Sequence, residues 1–240
     1  MSQTLKGRVA LVNGGLSGLG AAVAEALAAR GAEVAIGCTA VTPRARARLA
    51  ALEARGVHGL CCDPADPAAA RRLVERVVSR LGPLDILVHS AGEANCHDPD
   101  WALSVMSAVV TTCAAMPLMA EGGRIIFTAG FDSIRNPARG LAEYEVSRVA
   151  IADHADSVAR EMRPRGVTVN VVRAGVLPGN MTVDTSLGGG TLREVCPARC
   201  LETPADMASL IAALAGRRGA GTPAADTGTP ASPQPLLAWA

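Results

Sequence analysis

The stretch GRVALVNGGLSGLGAAVAEALAARG, residues 7–31, decides the fold. Its first part is a short apolar run without polar alternation, the pattern of a strand covered on both faces. Glycines then crowd the segment from Asn13 to Gly20. From Leu19 onward apolar residues recur at helical spacing until Gly31, a residue suited to a helix C-cap. Strand, glycine turn and helix in direct succession open a βαβ unit.

The same alternation continues outward. AEVAIGC (32–38) and VHGLCCD (57–63) read as buried strands, separated by the helical PRARARLAALEARG (43–56). DPAAARRLVERVVSRLG (66–82) places Pro67 at a helix start, with apolar residues on one face and arginines on the other. LDILVHSAG (84–92), GGRIIFTAG (122–130) and GVTVNVVRAG (166–175) supply three more strands, with helices between them. Strands and helices in this rhythm predict an α/β fold, a doubly wound Rossmann-type parallel sheet with right-handed crossovers, in a single domain. The domain is expected over residues 1–215. Residues 216–240, rich in Gly, Pro and Ala, read as a C-terminal tail.

Composition excludes several classes. Of 240 residues, 49% are hydrophobic and 19% charged, which suits a full core and argues against disorder. A net charge of +1 leaves no footprint for nucleic acid or an anionic membrane. No apolar run is long enough to span a bilayer, and the N-terminus lacks a signal-peptide layout. Seven cysteines without a secretory signal suggest a reduced, cytoplasmic chain. Cys196 and Cys200 have no second ligand pair at zinc spacing, so they read as small buried hydrophobes and no metal is expected.

Gly14, Gly18 and Gly20 form the pattern G-x-x-x-G-x-G between the first strand and the first helix. Such a loop lets the backbone approach a pyrophosphate, and the helix N-terminus adds free N–H groups and a positive dipole end. The alternative is a tight turn with no ligand. At the end of the second strand, where an NAD enzyme usually carries a carboxylate for the ribose, stands Cys38. Arg44 and Arg46 follow, and no acid comes before Glu53. That favours a 2′-phosphate, hence NADP(H) over NAD(H). The same arginine run, residues 44–48, also reads as a solvated helix start.

From Gly7 to Asp206 the chain resembles the short-chain dehydrogenase/reductase family. The glycine loop resembles T-G-x-x-x-G-x-G with Asn13 for the threonine, and CCDPAD resembles the adenine-contacting segment through Asp63. LDILVHSAG resembles D-I-L-V-N-N-A-G, with His89 and Ser90 for the asparagines. Tyr144-x-x-x-Arg148 falls on Y-x-x-x-K, and VTVNVVRAG on V-N-x-V-x-P-G with Ala174 for the proline. LETPADMASLIAAL resembles the late P-x-D helix.

The resemblance implies a nicotinamide cofactor, a small carbonyl or alcohol substrate, and a homodimer or homotetramer assembled through the mid-chain helices. It implies cofactor contacts from Gly14, Leu16, Ser17, Gly18, Leu19 and Gly20, from Cys38 and Thr39, and from Asp63 and Pro64. Ser90, Ala91 and Gly92, then Tyr144 and Arg148, and finally Gly175 and Val176 complete the set. It also implies a substrate lid near residues 176–200, with Gly188 to Gly190 as a hinge.

The departures fall on the catalytic half. The family's serine lies thirteen residues before the tyrosine, which lands on Phe131; counted from the strand it lands on Gly130. Neither has a hydroxyl, and Thr128 and Ser133 flank the gap. The family's helix asparagine falls near Ser104.

A phenol needs a nearby cation to titrate near neutrality, and positions i and i+4 of a helix share a face. Arg148 can supply that charge to Tyr144, the only tyrosine in the chain, but effectively never releases its own proton. The plain alternative is a packed Tyr144 and a surface Arg148.

A Tyr–Arg pair also occurs in the halohydrin dehalogenases, an offshoot that lacks the glycine loop and keeps the serine, the reverse of this chain. Three functions therefore stand: an atypical NADP(H)-dependent ketoreductase, a non-redox catalyst of dehalogenation, elimination or cyclisation, and a regulatory NADP(H) binder. His154 reads as a satisfied structural histidine at the core or a subunit interface. His97 reads as a loop residue. His89 is placed to hydrogen-bond the neighbouring strand.

Overall fold

The fold is given by a computed structural model, which describes residues 3–16, 18–38, 42–62, 66–90, 101–129, 141–173 and 203–216. Six strands run in one parallel sheet: β1 (Val9–Asn13), β2 (Glu33–Cys38), β3 (Val57–Cys61), β4 (Leu84–His89), β5 (Met119–Ala129) and β6 (Thr168–Arg173). Among the described residues, six α-helices alternate with them: α1 (Gly18–Ala29), α2 (Pro43–Glu53), α3 (Pro67–Leu81), α4 (Trp101–Ala115), α5 (Leu141–Met162) and α6 (Pro204–Gly216). The strand order is β3-β2-β1-β4-β5-β6, the doubly wound arrangement expected from the alternation.

Strand parity sorts the core into two layers. Ala10, Val12, Val34, Ile36, Ile86 and Val88 point to one side, where α1 and α6 pack. Val9, Leu11, Leu87, Ile125 and Phe127 point to the other, under α3, α4 and α5. On α5, Ile151, Ala155, Val158 and Met162 are the buried apolar positions, a stripe spaced by three and four residues.

Local chemistry sets the helix ends. Asp66 caps α3, its Oδ1 accepting from Ala68 N at 2.8 Å, with Pro67 in the first helical position. Thr203 and Asp206 cap α6 reciprocally: Thr203 N donates to Asp206 Oδ2 at 3.0 Å, and Asp206 N donates to Thr203 Oγ1 at 3.2 Å. Gly31 follows α1 with φ +92°, the left-handed C-terminal position.

At the N-terminal edge of the sheet, Arg8 pairs with Asp85 at 2.5 Å. Val9 N donates to the same carboxylate at 2.9 Å, which ties β1 to β4. These two strands flank the point where the strand order reverses. A ligand of a doubly wound sheet lies in the crevice beyond their C-terminal ends.

Candidate active site

The C-terminal ends of β1 and β4 build the floor of that crevice. Gly14 follows β1 with φ +84°, and its N–H donates to Gly37 O at 3.0 Å. Ser90 N donates to Asn13 O at 2.9 Å, which joins the two loops at their roots. Leu16 packs partly buried against the α1 core, and Leu19 is buried. Gly18 opens α1 with φ +51°, a conformation L side chains rarely adopt.

Gly20 is required by close approach: a Cβ there would lie 2.2 Å from Gly14 O. The missing side chain lets α1 start directly against the loop, and a helix start carries unpaired N–H groups. Backbone cradle and helix N-terminus together fit a dinucleotide's diphosphate.

Behind the loop lies a buried polar hub. Across the sheet, Gly37, Asn13, His89, Phe127 and Val171 stand in register on neighbouring strands. Asn13 Nδ2 donates to Ser107 Oγ and to Thr111 Oγ1 on α4, each at 3.0 Å, and lies 3.2 Å from His89 Nδ1. The amide has two hydrogens for three acceptors, so they are shared. With Nδ1 accepting, the ring proton of His89 sits on Nε2.

Gly37 leaves the room for this amide: a Cβ there would be 3.2 Å from Asn13 Oδ1 and 2.8 Å from Leu73 Cδ2. The expected bond from His89 to a neighbouring strand is therefore present. The hub itself was not foreseen. Its only sequence signal is Ser107 and Thr111, four residues apart within an apolar helix.

The hub continues through aromatic contacts. His89 and Phe127 have ring centroids 6.2 Å apart, and Phe127 meets His154 of α5 edge-on at 5.8 Å. His154 sits half-buried against Phe127, and the expectation that it is satisfied needs correcting. Its buried Nε2 has no hydrogen-bond partner among the described residues. Burial pushes the pKa of this ring below the usual histidine value, with a smaller opposing effect from Asp153.

Thr128 stands one residue before the end of β5, and its hydroxyl donates to His89 O at 3.2 Å. Tyr144 and Arg148 fall in the N-terminal part of α5, four positions apart. Ser104 lies on α4. Cys38 is the last residue of β2 and is buried. α2 begins just beyond it, with Thr42 capping Ala45 N at 3.1 Å. Arg44, Arg46 and Arg48 on α2 are exposed, and none makes an ion pair among the described residues.

Ser17, Thr39, Asp63, Pro64, Ala91, Gly92, Ser133, Gly175 and Val176 lie outside the described residues. So do the expected lid at 176–200, the tail from 217, His97, Cys196 and Cys200. Among the described residues no group of three or more His, Cys, Asp or Glu is placed to hold a metal. No described helix is long and apolar enough to cross a membrane.

Comparison with known proteins adds identity to this geometry. The family model described as short chain dehydrogenase matches residues 8–188. The chain is 34% identical over 229 residues to the 3-oxoacyl-(acyl-carrier-protein) reductase FabG of Escherichia coli K12, covering 90% of this chain and 92% of that protein. It is 32% identical over 224 residues to the cyclic-di-GMP-binding biofilm dispersal mediator protein of the same organism, covering 88% and 90%. Among solved structures, a short chain dehydrogenase from Burkholderia cenocepacia J2315 in complex with NADP matches with a TM-score of 0.74 at 34% identity. That match covers 89% of this chain and 92% of the other.

Proposed function

The chain belongs to the short chain dehydrogenase family, and from that premise we propose that it is an atypical NADP(H)-dependent ketoreductase acting on a carbonyl of a small, polyketide-like molecule. The observation that carries this reading is the loop of Gly14, Gly18 and Gly20 at the sheet's switch point, where any Cβ at Gly20 would collide with Gly14 O. Preference for the 2′-phosphate rests on Cys38 at the end of β2 and on exposed Arg44 and Arg46 close behind it. The NADP held by the Burkholderia relative supports the same choice. A relative named for reducing a 3-oxoacyl group supports a carbonyl substrate.

NADPH, when bound, supplies the hydride. Tyr144 gives the proton to the carbonyl oxygen. Arg148, one helical turn away, lowers the phenol from its usual value near about 10 and anchors the ribose. Because arginine keeps its proton, water or a substrate hydroxyl must restore the one Tyr144 has lost. Thr128 or Ser133 takes the role of the absent serine. Thr128 already gives its proton to the His89 carbonyl, so it must turn from that partner before it can donate to an oxyanion. Exposed Met106 on α4 and Val146 and Val149 on α5 support assembly through the mid-chain helices.

The test is NADPH consumption with β-keto thioesters and with polyhydroxylated aromatic ketones. Tyr144→Phe, which keeps the ring, should lower kcat by about 10²-fold or more while NADPH still binds. Turnover that ignores added nicotinamide would favour dehalogenation, elimination or cyclisation instead. A regulatory role without chemistry draws on the cyclic-di-GMP-binding relative. It predicts NADPH binding with no turnover that Tyr144→Phe alters.

A further inference from the structure

Two cysteines meet at the far end of the same crevice. Cys38 ends β2 and Cys61 ends β3, and the two are direct partners in the parallel register. Parity puts both on the α1 side of the sheet, with Ile36 and Val57. Cys62 goes the other way, packed partly buried against the opposite core layer, while its N–H donates to Cys38 O at 3.0 Å.

Adjacent strands run about 4.8 Å apart, inside the Cα separation of roughly 4.4–6.8 Å that a disulfide bridges. Cys38 is buried, and Cys61 is exposed. Cys38 is also the residue that stands where a dinucleotide's adenosine ribose is read.

We propose that Cys38 and Cys61 form a reversible disulfide that excludes the dinucleotide, and that bound dinucleotide in turn shields Cys61 from oxidation. This rests on the NADP(H) reading of the crevice for its ligand, but not for the bond itself. The oxidant is a peroxide. The Cys61 thiolate attacks the peroxide oxygen–oxygen bond, becomes a sulfenic acid and releases water. The Cys38 sulfur then attacks the Cys61 sulfur, and a second water leaves as the bond forms. Two thiols lose two protons and two electrons, and one hydrogen peroxide becomes two waters.

The order follows from access, since only Cys61 meets solvent. Burial, then the charge on Cys61 and the hydrogen bond to it, push the Cys38 thiol up to about 12. Cys38 therefore stays a thiol through the first step, and its proton leaves with the Cys61 hydroxyl as the second water. A cross-strand bond at an exposed sheet end belongs to the labile, reducible class.

The full-length reduced protein is treated with hydrogen peroxide and its thiols are mapped by mass spectrometry. The expected product has lost the mass of two hydrogens, is restored by dithiothreitol, persists in Cys62→Ser and is absent in Cys61→Ser. The Cys62 variant is needed because Cys61 and Cys62 share one tryptic peptide. Saturating NADPH should slow the reaction about fivefold or more, and the oxidised protein should bind NADPH at least about fivefold more weakly than the reduced protein.

A bond through Cys62, or none, overturns the proposal. A Cys38–Cys61 bond with equal NADPH affinity in both redox forms overturns its gating role. If the reduced protein binds no NADPH, the cofactor reading fails, and with it the gating, while the mapping still decides the bond.

Discussion

Replacing Asn13 by alanine should do more damage than one hydrogen bond suggests. Asn13 is 2% exposed, and its amide serves Ser107 and Thr111 while lying against His89. Truncation deprives a set of buried polar groups of their shared donor, at about 1–3 kcal/mol for a group left unsatisfied. It also opens a carboxamide-sized void that the sheet cannot close, because β1 is paired on both sides. Together these put the loss at about 3–4 kcal/mol. For a chain of this size that is a fall in Tm of about 6–16 °C.

Asn13→Thr supplies a hydroxyl donor in place of the amide and should recover about 1 kcal/mol of that loss. Urea denaturation of Asn13→Ala, Ser107→Ala and the double variant measures the hub directly. The single losses should exceed additivity, since both report one network. A loss below about 1 kcal/mol for Asn13→Ala, or clean additivity with Ser107→Ala, would refute the reasoning.

Gly20→Ala brings a methyl to within 2.2 Å of Gly14 O, so loop or helix must shift. It should destabilise the fold by about 1–3 kcal/mol and remove NADPH binding, read by calorimetric titration. His154 should make the protein acid-sensitive. Its folded pKa is depressed, so its contribution is intact above the unfolded value of about 6.5. That contribution is lost as the pH falls through the folded pKa, because the unfolded chain takes a proton the core refuses. Denaturation midpoints between about pH 7.5 and 5.5 should drop less in His154→Gln than in the parent. Val149, 67% exposed on α5, is expected in a subunit contact. Val149→Glu should lower the mass seen by light scattering, and a parent protein that is already monomeric would contradict that expectation.

Much of the fold was legible because a parallel sheet covered on both faces needs uninterrupted apolar strands, and glycines mark the first crossover. β5 shows where that legibility ended. Its opening residues, Met119 to Glu121, precede the stretch GGRIIFTAG that reads as the strand, yet they belong to it. Met119 pairs with Leu84 before a register shift. Arg165 reaches across to the Met116 and Met119 carbonyls to hold the segment.

At the site, the glycine loop could be read locally, since its constraints lie within eight residues. The hub could not, because Asn13 and Thr111 are 98 positions apart and meet only through the strand order. The pairing of Cys38 with Cys61 likewise depends on register, which neither residue signals alone.

The central claim is that the crevice beyond β1 and β4 holds NADP(H), and a thermal-shift titration with NADPH and NADH tests it most directly. A ligand at about a hundred times its Kd stabilises the native state by about 2.7 kcal/mol. That corresponds to a rise in Tm of about 5–11 °C for a chain of this length. The account predicts that rise with NADPH and a much smaller one with NADH at equal concentration. An unchanged Tm with both would contradict it.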